Sequence, residues 1–337
     1  MTYRSKECLS LKSMAYLNAA MVFTFSAAPF FIGLASFATF VLISPDNILD
    51  ANKAFVSLSL FNIIRIPMGF LPLILSMGAM FLVSMQRIDK YLNGDEIDEK
   101  AISHNENIKS PVVIENGSFS WSKGESPVLR NITFQLGRKR LVAVVGSVGS
   151  GKSSLLSAIL GDMEKVKGEV NTNGRVAYVP QQAWIQNETL RQNILFAHKY
   201  NESHYNQVLE SCALQQDMNI LAAGDMTEIG EKGINLSGGQ KQRVSLARAV
   251  YSNADIYLLD DPLSAVDAHV GRHLFDKVIG PKGILHNKTR ILVTHRVSVL
   301  PEVDQIIVLK DGSISEFGTF EELVANKGEF AEFVAEY

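Results

Sequence analysis

Gly146-Ser147-Val148-Gly149-Ser150-Gly151-Lys152-Ser153 is a glycine-rich run that ends in a cation and a hydroxyl. Glycines let the backbone bend tightly and bring its N–H groups close to phosphate oxygens. Lys152 supplies a point charge for β- and γ-phosphates, and the Ser153 hydroxyl can ligate Mg²⁺. The apolar run Leu141–Val145 that precedes the loop reads as a buried parallel strand. Ser153-Ser154 and the residues to Leu160 read as a helix whose positive end faces the phosphates. The chemistry implied is capture of a nucleoside triphosphate.

A second motif, Leu236-Ser237-Gly238-Gly239-Gln240-Lys241-Gln242-Arg243, follows about 85 residues later. Apolar residues at 244, 246, 247, 249 and 250 make the next segment a one-faced amphipathic helix. Ser237 is placed to cap it, and Gly238 and Gly239 leave bare amides at its start. Such an end binds anions. Ile256–Asp260 is another apolar run, ending in a carboxylate. It is expected to lie beside the phosphate-loop strand and to hold Asp260 near the metal, usually through water.

These motifs resemble the nucleotide-binding domain of ABC transporters over about 110–337. The resemblance rests on the phosphate loop, Gln181 in Val-Pro-Gln-Gln-Ala-Trp, Leu-Ser-Gly-Gly-Gln and Asp260. It continues through Ser264-Ala-Val-Asp267 and His295 in Val-Thr-His-Arg. It implies ATP and Mg²⁺ as ligands, with Gln181 touching the metal and coupling to the membrane domain. It further implies that His295 contacts the γ-phosphate and that Trp121 stacks on adenine from an upstream hairpin. In the family, Ser237-Gly238-Gly239-Gln240 meets the γ-phosphate held by another domain's loop, so two domains sandwich two ATPs. One copy does not complete a site.

The N-terminal third has a different character. Met14–Ile43 carries no formal charge, and Ala54–Met85 carries only Arg65. Each exceeds the roughly 20 apolar residues that span a bilayer and the 7–15 of a signal peptide. Two transmembrane helices are therefore expected, at about 14–43 and 54–85. Arg4, Lys6 and Lys12 precede the first, and Arg87 and Lys90 follow the second, whereas the connecting loop carries two acids and one base. The excess of cations puts both ends in the cytosol. The expected domains are a membrane part (1–92), a polar linker (93–110) and a nucleotide-binding domain (111–337).

The fold class expected is an α/β P-loop ABC-type ATPase domain preceded by two transmembrane α-helices. Its parts are a parallel core sheet, an antiparallel β region over 112–121 and 132–136, and a helical subdomain over 187–232. A hairpin over 305–317 with Asp311-Gly312 at its turn and two helices (319–326, 329–336) close the chain. A net charge of −3 gives no case for nucleic-acid binding. Cys8 and Cys212 fall on the same cytosolic side, which disfavours a structural disulfide. The six Asn-X-Ser/Thr sequons all lie in the cytosolic part and are discounted as glycan acceptors.

Pro180–Ile185, Leu259–His269 and Thr294-His-Arg-Val resemble the first nucleotide-binding domain of the multidrug-resistance-associated proteins, the C subfamily. Asn47–Ala51 and Ala54–Leu58 resemble the last two helices of that family's first membrane domain. The resemblance implies an ATP-driven exporter of organic anions or conjugates. It implies partners as well: the remaining membrane helices, a second nucleotide-binding domain, the bilayer and an anionic substrate. By that reading the chain is a fragment of an integral membrane protein, of the plasma membrane first and an organelle membrane second. The rival readings are a regulatory nucleotide sensor or channel half, and a soluble ABC ATPase.

Two residues stand out. Most members carry Glu after the metal-site Asp as the general base, whereas this chain carries Asp261, one methylene shorter. A misplacement of that size can cost about 10²-fold in rate, so this loop is expected to serve a slow site. Arg65 sits within the second apolar run, where a charge usually faces a cavity or a partner. A contact to an anionic substrate and a structural ion pair are its two readings.

Overall fold

The computed structural model describes residues 2–94, 96–98, 100–230 and 236–336. The chain divides into two compact units, with the boundary between residues 95 and 96. The first unit is a pair of long helices, α1 (Thr2–Ile43) and α2 (Ala51–Leu92). Both are longer than the apolar runs at 14–43 and 54–85. Residues 2–13 and 86–92 contain neither Gly nor Pro, so helix propagation continues past the apolar stretch. At about 1.5 Å per residue each helix reaches about 63 Å, twice the roughly 30 Å hydrocarbon layer. Phe37 and Phe61 pack edge to face across the pair, with centroids 6.1 Å apart. No described residue of α2 is buried, which leaves a large apolar surface open.

The second unit holds two sheets. In the small antiparallel sheet the order is β2-β1-β4, from β1 (Val112–Ser120), β2 (Leu129–Leu136) and β4 (Glu164–Thr172). The large sheet comprises β3 (Leu141–Val145), β5 (Val176–Val179), β6 (Ile256–Asp260), β7 (Thr289–Val293), β8 (Gln305–Lys310) and β9 (Ser313–Gly318). Its order is β5-β6-β7-β3-β8-β9, parallel except for β9. The carboxylate strand β6 is therefore not beside the phosphate-loop strand β3. β7 pairs with both and separates them. All three are fully buried runs, and a run apolar on both faces carries no mark of its neighbours.

Two cores form on opposite faces of the large sheet. On one face, Leu155, Leu156 and Ile159 of α3 (Lys152–Leu160) pack between that sheet and the small one. On the other, Val244, Leu246 and Ala247 of α7 (Gly238–Tyr251) pack with α4 (Leu190–Leu195), α5 (Glu202–Ser211) and α8 (Ala268–Leu274). α6 (Gln215–Ile220) completes the helical insertion. The expected end of that insertion, at 231–232, lies outside the described residues. Asp311 and Gly312 both take left-handed φ, 46° and 76°, as a two-residue hairpin turn requires. α9 (Phe320–Asn326) and α10 (Glu329–Glu336) follow.

The stretch expected as a linker is only partly free. From Ala101, which is buried, it runs along β4. Ser103 bridges to Asn171, whose side-chain oxygen accepts from Ser103 Oγ (2.9 Å) and the Asn105 amide (2.8 Å). β4 has a largely polar sequence with an internal glycine, so no apolar alternation announced it.

Candidate nucleotide site

The loop after β3 owes its shape to close approaches that exclude a side chain. Gly146 has φ 147°, and a Cβ there would lie 2.2 Å from Leu309 O. Gly151 has φ 100°, and a Cβ there would meet Leu129 at 2.9 Å. α3 starts at Lys152, so its free N–H groups face the loop. Ser147, Val148 and Gly149 are exposed at the rim, while Ser150 is buried under the turn, its carbonyl accepting from Gly312 N (3.1 Å). Lys152 is buried, and its ammonium donates to Gly146 O (3.0 Å) and Ser147 O (2.8 Å).

A cavity of about 270 Å³ opens over this loop. Val148, Gly149, Gly151, Lys152, Ser153 and Ser154 form its floor, and Gln181, Asp260, Asp261 and His295 face them. Asp260 and Asp261 arrive at the end of β6, His295 just beyond β7 and Gln181 just beyond β5. Although β7 intervenes, the parallel strands end together, so side chains from four crossovers converge at one edge. Trp121 does not line this cavity. It is half exposed at the start of the loop between β1 and β2, and that loop's last residue, Val128, does line it.

Burial sets the electrostatics. It pushes the Asp260 carboxyl above the ordinary carboxylate range, against a hydrogen bond from Ser153 and the charge of Lys152. Asp261 is also raised by burial, against His295 and Ser264. Lys152 is lowered by burial, with Asp261 and Asp260 opposing. His295 is lowered by burial and by Lys152, with Asp261 opposing. Asp261 has φ +45°, a strained placement for a non-glycine residue. Tyr178, which sequence reasoning missed, bonds Asp260 and is pushed up to about 12, mainly by its own burial. It is the outward residue of β5, and that alternation was its only signal.

The residues suit a hard divalent cation. Asp260 Oδ1 is buried without a hydrogen-bond partner. With Ser153 and Gln181 in the same cavity it makes an all-oxygen donor set of the kind Mg²⁺ takes, the rest coming from phosphates and water.

The second motif lies elsewhere. Gly238 lines a separate cavity of about 940 Å³ with Gln182, Trp184, Lys241 and Ala265, and Gln181 borders both cavities. Ser237 and Gln240 form a reciprocal capping box: Ser237 Oγ accepts from Gln240 N (3.2 Å), and Gln240 Oε1 accepts from Ser237 N (2.8 Å). Gln240 Nε2 donates to Asp217 Oδ1 (2.8 Å), so its side chain is fully committed within the domain. Asp217, a second residue the sequence reading missed, is buried on α6 and also accepts from Arg243 (2.7 Å). Nothing in its surroundings in sequence distinguished it from a solvated acid.

Residues 129–264 match the ABC transporter family. The chain is 52% identical to ATP-binding cassette sub-family C member 2 of Homo sapiens over 97% of its own length and 21% of that protein's. It is 54% identical to sub-family C member 3 of Rattus norvegicus over 99% of its length and 22% of that protein's. The chain belongs to sub-family C of the ABC transporters. It spans about a fifth of the length of the curated relatives it matches. Along that span the alignment takes in both long helices, which are long and apolar enough to cross a membrane. Arg65 lies on α2 in this sub-family C chain. It lines a groove of about 280 Å³ between the two helices with Ser26, Phe37, Phe61 and Asn62, and makes no ion pair among the described residues.

Proposed function

We propose that this chain binds Mg-ATP at the Lys152 cavity and supplies two membrane helices to an ATP-driven exporter of organic anions. The observation that carries the reading is the pair of cavities. One gathers a phosphate loop, a metal-type oxygen set, a carboxylate and a histidine; the other presents the capped glycine end of α7. A phosphate held at Gly238 and Gly239 would have to come from a second nucleotide-binding domain, which makes that domain the partner. In this reading residues 1–92 are the membrane part, with both ends cytosolic, and the unit from residue 96 onward is the ATPase.

In the Lys152 cavity the amides from Ser147 to Ser154 hold the phosphates, and Lys152 turns from loop carbonyls to phosphate oxygens. Ser153, Gln181 and Asp260 would hold Mg²⁺, which when bound neutralises charge on the β- and γ-phosphates. Asp261 orients and deprotonates the attacking water, and its burial brings its basicity closer to that task. His295 is kept neutral by burial and Lys152, so it presents an N–H to the γ-phosphate without adding charge. Trp121 offers a ring face to adenine at the mouth. Arg65 meets the anionic group of the exported compound in the membrane groove through its planar fork of donors.

The test is ATP binding by the chain in lipid nanodiscs. Lys152→Ala and Trp121→Ala should each weaken ATP at least tenfold, with Trp121→Phe largely tolerated because a stacking face remains. Unchanged affinity in a folded Lys152→Ala protein overturns the nucleotide reading. Transport into inside-out vesicles by the full-length protein, with and without ATP, tests the exporter reading.

A further inference from the structure

Gly271 occupies the first turns of α8, a position where glycine is a poor helix former and its φ is not in the left-handed region. Its neighbour explains it. A Cβ built on Gly271 would lie 2.0 Å from an Nη and 2.6 Å from Cζ of Arg296. The missing side chain is the slot through which the Arg296 guanidinium passes.

That guanidinium reaches two backbone carbonyls of the loop between β6 and α8. One Nη donates to Leu263 O at 2.5 Å and to Val266 O at 2.7 Å. At its other end Arg296 follows His295 directly, and its amide donates to Thr294 Oγ1 (3.1 Å). Thr294 is fully buried, and its own amide donates to Val144 O on the phosphate-loop strand (3.3 Å). The loop is short of internal support. Its first residue, Asp261, has the left-handed φ, donates to Val293 O (3.0 Å) and accepts from Ser264 N and Oγ. Its last, Asp267, caps α8 by accepting from Val270 N (2.9 Å). Between them the carbonyls at 263 and 266 are held by Arg296.

The loop also joins the two cavities. Asp261 lines the Lys152 cavity and Ala265 lines the one at Gly238, where the Ala265 carbonyl lies 3.0 Å from the position of a Cβ on Gly239. We propose that Arg296 is a positioning residue that locks the 261–267 loop to the turn carrying His295, with Gly271 as its seat. The lock fixes Asp261 against His295 and transmits any displacement at Ala265 to both. This rests on the proposed roles of Asp261 and His295 as the hydrolytic pair, but the lock itself is measurable without turnover.

Hydrogen exchange on the chain in nanodiscs reads the lock directly. Gly271→Ala keeps an ordinary helical backbone and displaces only the flexible end of Arg296, so the fold is retained. It should speed exchange at 262–267 about tenfold, as Arg296→Ala should, while the central strands and ATP affinity stay unchanged. The double variant should be no faster than either single one, since both remove the same contact. Arg296→Lys should rescue only partly, because an ammonium lacks the planar fork. In the full-length transporter the same variants should lower kcat about tenfold with KM for ATP unchanged. Wild-type exchange at 262–267 in Gly271→Ala overturns the lock, as do additive effects in the double variant. Faster exchange with unaltered kcat keeps the contact but refutes its bearing on Asp261 and His295. Loss of ATP binding in the wild-type chain would instead sink the nucleotide reading and leave the exchange result standing.

Discussion

Asp217 tests how the glycine end of α7 is held. Its carboxylate accepts from Arg243 at 2.7 Å and from Gln240 Nε2 at 2.8 Å, and the pair's side chains are only 8% and 13% exposed. Asp217→Ala strands the Arg243 guanidinium, whose Nε is already buried without a partner. Removing one member of a buried pair costs about 3–5 kcal/mol. At about 2–4 °C per kcal/mol for a unit of this size, the melting temperature of the 96–337 unit should fall by roughly 6–20 °C. Thermal unfolding followed by circular dichroism measures it. Replacing both partners together, Asp217→Leu with Arg243→Met, should recover most of the loss, because no charge is then left buried. A shift under about 2 °C for Asp217→Ala contradicts the reasoning. So does a double variant less stable than either single one, since that would place the stabilisation outside the pair.

Asp261→Glu in the full-length protein should raise hydrolysis at this site by up to about 10²-fold if reach is the limit; unchanged or slower turnover rejects that. Arg65→Leu should abolish export of anionic compounds with expression and ATP binding intact, and Arg65→Lys should recover it in part. A misfolded Arg65→Leu protein would point to a structural ion pair instead. His295 has its folded value depressed by burial, so its unfolded form binds protons more readily. Stability from this group is complete above about pH 6.5, the unfolded value, and declines as pH falls below it. His295→Asn should flatten that part of the stability–pH curve, and an unchanged slope would show that another group carries it.

What the sequence disclosed followed from how local each constraint is. The phosphate loop was legible because Gly146, Lys152 and Ser153 answer to needs within one turn of chain. The cap at Ser237 and Gln240 and the turn at Asp311-Gly312 are local in the same way. Strand order was not legible: β3, β6 and β7 are each buried on both faces, and only the assembled sheet places β7 between the other two. The helices outran their apolar runs because lipid contact sets the composition of a span but not where the helix stops. Asp217, Tyr178 and Arg296 were missed for one reason. Each acts through a partner 23 or more residues away in sequence, on Gln240, Asp260 and Leu263 respectively, and a contact at that separation leaves no local spacing to read.

The capping box bears on which groups in the second cavity are left for a ligand. Four amides open any helix unpaired. In α7 these are the amides of residues 237–240: Ser237 N donates to Gln240 Oε1 (2.8 Å) and Gln240 N to Ser237 Oγ (3.2 Å). Gln240's side chain is divided between Ser237 N and Asp217. Among the described residues the donors that remain at the tip are the amides of Gly238 and Gly239, and both residues lack the side chain that would cover them. The motif therefore divides its labour by residue type: Ser237 and Gln240 hold the end rigid, and the two glycines present it. Gly238 is open, with nothing near the place of a Cβ, whereas a Cβ on Gly239 would lie 3.0 Å from Ala265 O. Gly239 thus faces the loop that Arg296 holds, and a phosphate drawn to these amides would press on the same loop that carries Asp261.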